Sequence, residues 1–178
     1  MYAAHVLALQ PQPESEEATL ISAAQGGNRA AFGRLYERYV RMIHGIVLSS
    51  VPYADAEDVV QDVFVTAMKR IGSLREAGAL GGWLATIARN AAHDLHRRRR
   101  EIGELDGREA TRDRVNVEAI AVLEEIQRLP EAYRETLIMR LVEQMTGPEI
   151  AERTGMTPAS VRVNLCRGMK MLRERLAP

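Results

Sequence analysis

The stretch that decides the fold is "TGPEIAERTGMTPASVRVNLCRGMKML", Thr146 to Leu172. Thr146 is placed to cap a short helix, and Glu149 three residues on completes a capping box. Pro148 falls in the first turn, where its missing N–H has no intrahelical partner to lose. The short helix would bury Ile150 and Ala151. Gly155 suits the left-handed residue that ends a helix. Thr157 then caps a longer helix with Pro158 at its first position. A short helix, a tight turn and a longer helix within about 25 residues is the layout of a helix-turn-helix.

The second helix is decorated unevenly. Val161, Leu165, Gly168 and Leu172 recur at helical spacing and are expected to pack inward. Gly168 costs about 1 kcal/mol against Ala in a helix interior, for which close helix contact is a reason. The outward residues are Arg162, Val163, Cys166, Arg167 and Lys170. Met156 to Pro178 holds five basic residues and one acidic, a net charge of +5 − 1 = +4. A helix that enters a major groove needs such a face: Arg reads guanine edges or pairs with phosphates, and apolar side chains meet thymine methyls. The competing reading is a helical hairpin whose charges face solvent.

Upstream, "VEAIAVLEEIQRL" and "EAYRETLIMRLVEQ" read as two further helices, broken at Leu129-Pro130. Residues 101–116, with two glycines, mixed charge and no apolar period, read as a linker. Residues 18–100 carry four more helical patterns. The first, "ATLISAAQG", is short. The second places Phe32, Leu35, Tyr36, Tyr39, Ile43, Ile46 and Val47 on one side. The third carries one wide stripe of Val60, Val63, Phe64, Ala67, Met68 and Ile71, with Asp55 as the expected N-cap and Gly72 as the stop. After the Gly-rich loop "GSLREAGALGG", the fourth runs from about Trp83, turns Leu84, Ile87, Ala88, Ala91 and Leu95 inward, and ends in "HRRRR". Residues 1–17 read as a mobile acidic tail rather than a signal peptide.

Composition narrows the class. Apolar residues make up 46% of the 178, enough for a core, and aromatics only 4%, which suits helices over a β-sandwich. Formal net charge is zero, so any nucleic-acid partner must be met by local clustering. The one cysteine, Cys166, rules out a disulfide framework. No apolar run approaches membrane-spanning length. The expected fold is all-α: two small helical domains joined by a flexible linker, the C-terminal one with a helix-turn-helix. No P-loop, nucleophile elbow or metal-ligand pattern points to an enzyme, a cofactor or a metal. His44, His93 and His96 read as solvated or DNA-facing.

"DAEDVVQDVF" (55–64), "GWLATIARNAAHDLHRRRR" (82–100) and the run from Leu129 to Leu176, in this order and spacing, resemble the extracytoplasmic-function (ECF) group of bacterial RNA polymerase sigma factors. The resemblance covers residues 18–176. It implies a domain at 18–100 that binds polymerase core and reads and melts the minus-ten element, and a domain at 117–178 that reads the minus-thirty-five element. It places Asp58, Gln61 and Asp62 against the polymerase core. It places Leu74, Leu80 and Asn90 around a flipped promoter base, with Gly78, Gly81 and Gly82 letting backbone approach DNA and Arg97 and Arg98 near phosphates. Leucine does not stack as the family's usual Phe does. Arg140, Ser160, Arg162, Val163, Cys166 and Arg167 would face the minus-thirty-five element. Asn164 and Met169 stand where the family usually has basic residues. The implied partners are the β′ clamp and β flap of polymerase core, promoter DNA and an anti-sigma factor, with a cytoplasmic location and no membrane insertion. The other class that fits is a conventional helix-turn-helix regulator whose N-terminal half senses or dimerises.

Overall fold

The computed structural model describes residues 13–102 and 117–177. The expected linker falls almost wholly outside them, as does most of the expected N-terminal tail. Every element among the described residues is helical. The N-terminal domain comprises α1 (Pro13–Gln25), α2 (Arg29–Leu48), α3 (Tyr53–Arg70) and α4 (Leu80–Ile102), with two short 3-10 turns at Ile71–Ser73 and Ala77–Ala79. The C-terminal domain comprises α5 (Val117–Gln127), α6 (Glu131–Leu141), α7 (Gly147–Thr154) and α8 (Pro158–Leu176).

Helix α1 starts at Pro13, upstream of the expected start, because its first turns have work to do. Glu16 pairs with Arg34 at 2.6 Å, and Glu17 lies 2.9 Å from both Arg38 Nε and the Tyr39 hydroxyl. Asn28 caps α2 by accepting from Ala31 N–H. Asp55 does not cap α3: the helix starts after Pro52, and the Asp55 carboxylate pairs with Arg99 of α4. The stripe of α3 includes Val59 and omits Met68, which is 47% exposed, because the 3.6-residue period has rotated that position off the core. Helix α4 begins at Leu80, a turn earlier than expected.

The helix-turn-helix forms as its sequence dictates. The Thr146–Glu149 capping box is complete, Gly155 is left-handed at φ 72°, and the Thr157 hydroxyl accepts from Ser160 N–H. A Cβ on Gly168 would lie 2.9 Å from Leu137 Cδ1 and 3.2 Å from Tyr133 Cβ, so the glycine lets α8 sit directly on α6.

The two domains pack against each other. Helix α2 is buried almost all round from Met42 to Ser49, with only His44 partly exposed. That is more than a one-sided amphipathic helix hides. The surplus lies under α6, which crosses α2 at Gly45, where a Cβ would meet Met139 Cγ at 2.8 Å. Gln127 Nε2 of α5 donates to the carbonyls of Leu48 and Val51 at 2.7 and 3.1 Å, closing the C-terminal end of α2.

Candidate nucleic-acid and polymerase interface

Helix α8 presents its polar side to solvent. Ser160, Arg162, Val163, Cys166 and Arg167 are all exposed, while Val161, Gly168 and Leu172 are buried beneath them. Within the described residues Arg162 and Arg167 have no carboxylate partner. The Ser160 hydroxyl lies 2.8 Å from that of Thr157, at the capped start of the helix. Arg140 is exposed at the end of α6 and its Nη1 donates to the Met145 carbonyl at 3.1 Å. Asn164 is half-buried. Met169 packs against the core, so an apolar residue there follows from its inward position.

On the N-terminal domain, Asp58, Gln61 and Asp62 lie exposed along α3, opposite its apolar stripe. Beside them a groove between α2 and α3 is lined by Tyr36, Val40, Phe64, Val65 and Met68, with Gln61 on its rim. Tyr36 packs edge-on to Phe64, ring centres 4.6 Å apart, yet is 42% exposed. Sequence reasoning misses this groove. Its signal is Val40 and Val65, apolar residues outside the two stripes, each about one turn from a stripe residue that stays exposed, Tyr36 and Met68.

Helix α4 carries Asn90, Arg97 and Arg98, all exposed. Arg97 pairs with Asp94 at 3.0 Å, while Arg99 is drawn back to Asp55. Leu74 and Leu80 do not line an open pocket: they are 8% and 1% exposed and belong to the core. Gln25 Nε2 fixes that loop by donating to the Ile71 and Leu74 carbonyls at 3.1 and 2.8 Å. Of the loop glycines, Gly81 is approached closely, but by protein: a Cβ there would lie 2.1 Å from the Arg153 carbonyl oxygen at the end of α7. Nothing lies within 4 Å of a Cβ on Gly78 or Gly82.

Two histidines are engaged with protein rather than solvent. His44 Nδ1 lies 2.5 Å from Glu143 Oε1, and His96 Nε2 lies 2.7 Å from the Ser50 carbonyl. His93 is exposed. Among the described residues no group of three His, Cys, Asp or Glu could hold a metal ion, and no helix is long and apolar enough to cross a membrane. Burial, with Glu17 beside it, pushes the Tyr39 phenol far above its ordinary pKa. The hydrogen bond to Glu135 holds Arg89 still more firmly in its charged form.

One all-helical domain thus carries a helix-turn-helix whose longer helix exposes a basic face, and the other an apolar groove with Asp58, Gln61 and Asp62 exposed on the same helix. The chain matches the family model Sigma-70 region 2 over residues 35–102 and the model Sigma-70, region 4 over residues 119–172. It is 32% identical to the ECF RNA polymerase sigma factor BldN of Streptomyces coelicolor, over 95% of this chain and 70% of that one. It is 31% identical to the ECF RNA polymerase sigma factor SigM of Mycobacterium tuberculosis, over 89% of this chain and 84% of that one. Its structure resembles that of CnrH, solved in complex with the cytosolic domain of CnrY, with a TM-score of 0.62 and 26% identity, over 90% of this chain and 97% of that one. The chain belongs to the ECF group of RNA polymerase sigma factors.

Proposed function

We propose that the chain is a non-enzymatic initiation factor of the cytoplasm that binds RNA polymerase core through its N-terminal domain and reads the minus-thirty-five element through α8. The observation that carries this reading is the exposed face of Ser160, Arg162, Val163, Cys166 and Arg167, raised on a rigidly capped helix. Arg140 flanks that face. Asp58, Gln61 and Asp62 meet the β′ clamp, and the groove beside them takes apolar side chains of the same partner. The C-terminal domain meets the β flap. Asn90, Arg97 and Arg98 contact DNA around the minus-ten element. Leu74 and Leu80 support that region from the core rather than by touching a base. The likeness to CnrH, solved with CnrY on it, supports a protein regulator, an anti-sigma factor, for this chain also.

The test uses the full chain with polymerase core and promoter duplex. Asp58→Lys with Asp62→Lys weakens core binding without loss of helicity, since neither residue is buried. Arg162→Ala or Arg167→Ala costs about 1–3 kcal/mol and relaxes specificity at one position if the contact is to a base, or lowers the salt slope by about 1 if it is to a phosphate. Arg173→Ala, nearer the end of α8, does neither. Initiation by core plus this chain alone separates the reading from a conventional regulator, which still needs another sigma factor. Three arginine variants that initiate like the wild type across a salt series would refute it.

A further inference from the structure

The cations of the N-terminal domain fall into two sets. Arg34, Arg38, Arg41, Arg89, Arg97 and Arg99 each lie 3.9 Å or less from a carboxylate. The others have no carboxylate partner among the described residues, and they gather at the two ends of the domain. Arg98 and Arg100 stand at the end of α4, where His96 meets Ser50 just past α2. Arg29, Lys69, Arg70 and Arg75, all exposed, stand at the opposite end, where α2 begins. Gln25, bonded to the Ile71 and Leu74 carbonyls, ties the turn before Arg29 to the loop between Arg70 and Arg75. Phe32 and Met68 line one groove, which sets Lys69 beside the first turns of α2.

Helix dipoles account for part of this cluster. Lys69 and Arg70 end α3, where the dipole favours cations. Arg29 begins α2, where the dipole opposes one, and that first turn holds no acid to offset it. Arg75 lies in a loop. Across residues 22–34 and 66–79 the one carboxylate is Glu76. Like charges brought together repel, and a polyanion laid across them removes that cost.

We propose that this end of the domain binds the phosphates of single-stranded promoter DNA, where a melted strand leaves the minus-ten element on its downstream side. The inference rests on the function proposed above, which lays that element along α4. On α4 the exposed residues Gly82, Thr86, Asn90, His93 and Arg97 recur one turn apart and form a ridge. From Arg97 to Gly82 the ridge runs about 22 Å at 1.5 Å per residue, on the order of six nucleotides at 3.4 Å each. At Gly82 it passes onto the loop. A Cβ on Gly82 or Gly78 would meet nothing within 4 Å, so the way is open to Arg75 and Arg70. The direction follows from the chain. Helix α4 ends at Ile102 and leads toward the C-terminal domain, so its Arg97 end is tethered to the reader of the upstream element and the loop end points downstream. Residues 69–79 hold no aromatic side chain on which a base could stack. The contact is therefore to phosphates and indifferent to sequence.

The experiment uses the full chain with polymerase core and two forked promoter DNAs. Both are duplex through the minus-thirty-five element and carry the minus-ten element on a single strand, each strand being tried in turn. In one fork that strand stops at the end of the element; in the other it runs about six nucleotides further. For one of the two strands the wild type binds the longer fork about tenfold more tightly at low salt. Arg29→Gln with Arg70→Gln and Arg75→Gln loses most of that gain, binds the short fork as the wild type does, and lowers the salt slope on the long fork by about 2, at about 0.7 per single-strand contact. A tail of neutral methylphosphonates removes the gain from the wild type as well, and it decides the matter should the variant lose helicity by circular dichroism. An equal gain in the variant, or a methylphosphonate tail held as tightly as a phosphate one, overturns the proposal. So does a gain that changes severalfold with the bases of the tail. A variant that binds core less tightly without DNA also overturns it, since this end would then face the polymerase. A wild type that binds core and the short fork but gains nothing from the tail refutes this inference alone. A wild type that binds neither refutes the proposed function, and this inference with it.

Discussion

Helix α6 is packed on two sides by the same device. On one side Leu137 sits on Gly168 of α8; on the other Met139 sits on Gly45 of α2. Both side chains are fully buried, and each glycine is in a helix interior where Ala would otherwise be favoured. The surroundings differ. Around Gly168 the neighbouring positions of α8 that face inward are apolar, Val161 and Leu172 among them. Around Gly45 the rim is polar: Arg89 pairs with Glu135 and Arg38 with Glu152, and His44 hydrogen-bonds Glu143. A glycine seat in an apolar setting makes a core that comes apart only by unfolding. The same seat ringed by half-exposed charges makes a joint between two bodies, each of which keeps a polar edge for water when they part. The Arg38–Glu152 pair, exposed at Glu152, adds about 0–1 kcal/mol and fades with salt, while Arg89 offsets the cost of burying the Glu135 carboxylate, so the rim sets direction more than strength.

The largest effect that separates the two sides comes from truncating the knobs. Leu137→Ala removes a fully buried side chain from within one domain and lowers stability by about 2–5 kcal/mol, read from denaturant unfolding of the full chain. Met139→Ala deletes a side chain just as buried, but part of its packing is across the joint. Its unfolding midpoint therefore falls less than that of Leu137→Ala, and the distances between nitroxide labels on the exposed Cys166 and Ala30→Cys, read by double electron–electron resonance, broaden while those in Leu137→Ala stay narrow below the transition. If Met139→Ala unfolds the chain more readily and leaves the distances narrow, the distinction between core and joint is lost.

A smaller effect tests the C-terminal domain alone. The Thr157 hydroxyl satisfies Ser160 N–H at 3.1 Å, a hydrogen bond made wholly within the C-terminal domain. Thr157→Ala costs about 1 kcal/mol of stability. It leaves the joint closed, and the same two measurements check both halves of that statement.

How far the sequence is legible follows the same division. The turn from Thr146 to Leu172 can be read in detail because its signals are local: cap, capping box, left-handed glycine and an inward glycine all act within one or two turns. Even Gly168 declares a close contact, though not with which helix. The joint is invisible. Gly45 lies in an ordinary apolar run, and nothing near Glu135 announces an arginine 46 positions upstream. Local reading also misassigns residues that have distant partners. Asp55 has the look of a cap and serves Arg99; His44 and His96 read as solvated and meet Glu143 and the Ser50 carbonyl. Resemblance assigns Leu74 and Leu80 to a base pocket, but the loop that holds them folds inward under α1 contacts that no short motif encodes. Met68 is lost for a simpler reason: it stands about 80° around α3 from Val60, at the edge of the stripe, whereas Ile71 returns to within about 20° and is buried.

The smallest effect concerns α7, which lies between the two sides. Glu149 accepts from Thr146 N–H at 2.7 Å and from the Thr146 hydroxyl at 2.8 Å, and its other oxygen lies 3.9 Å from Arg41 across the joint. Its carboxyl is held below the ordinary glutamate value, first by the backbone hydrogen bond, then by the hydroxyl, with Arg41 a lesser influence. The sign follows: a carboxyl depressed in the folded state contributes stability that is whole above the unfolded value of about 4.3 and is lost as pH falls through the lower folded value. The cap therefore weakens only in acid, as pH falls below the unfolded value. Titration of Glu149 by carboxyl carbon NMR should show its pKa rising in Thr146→Ala, though not to the ordinary value, since the backbone donor remains. Arg41→Ala should raise it less, because the joint contributes little to a bond made within α7. A larger rise in Arg41→Ala than in Thr146→Ala would mean that the cap of α7 belongs to the joint and not to its own domain, and the boundary between the two sides of α6 would have to be drawn through α7.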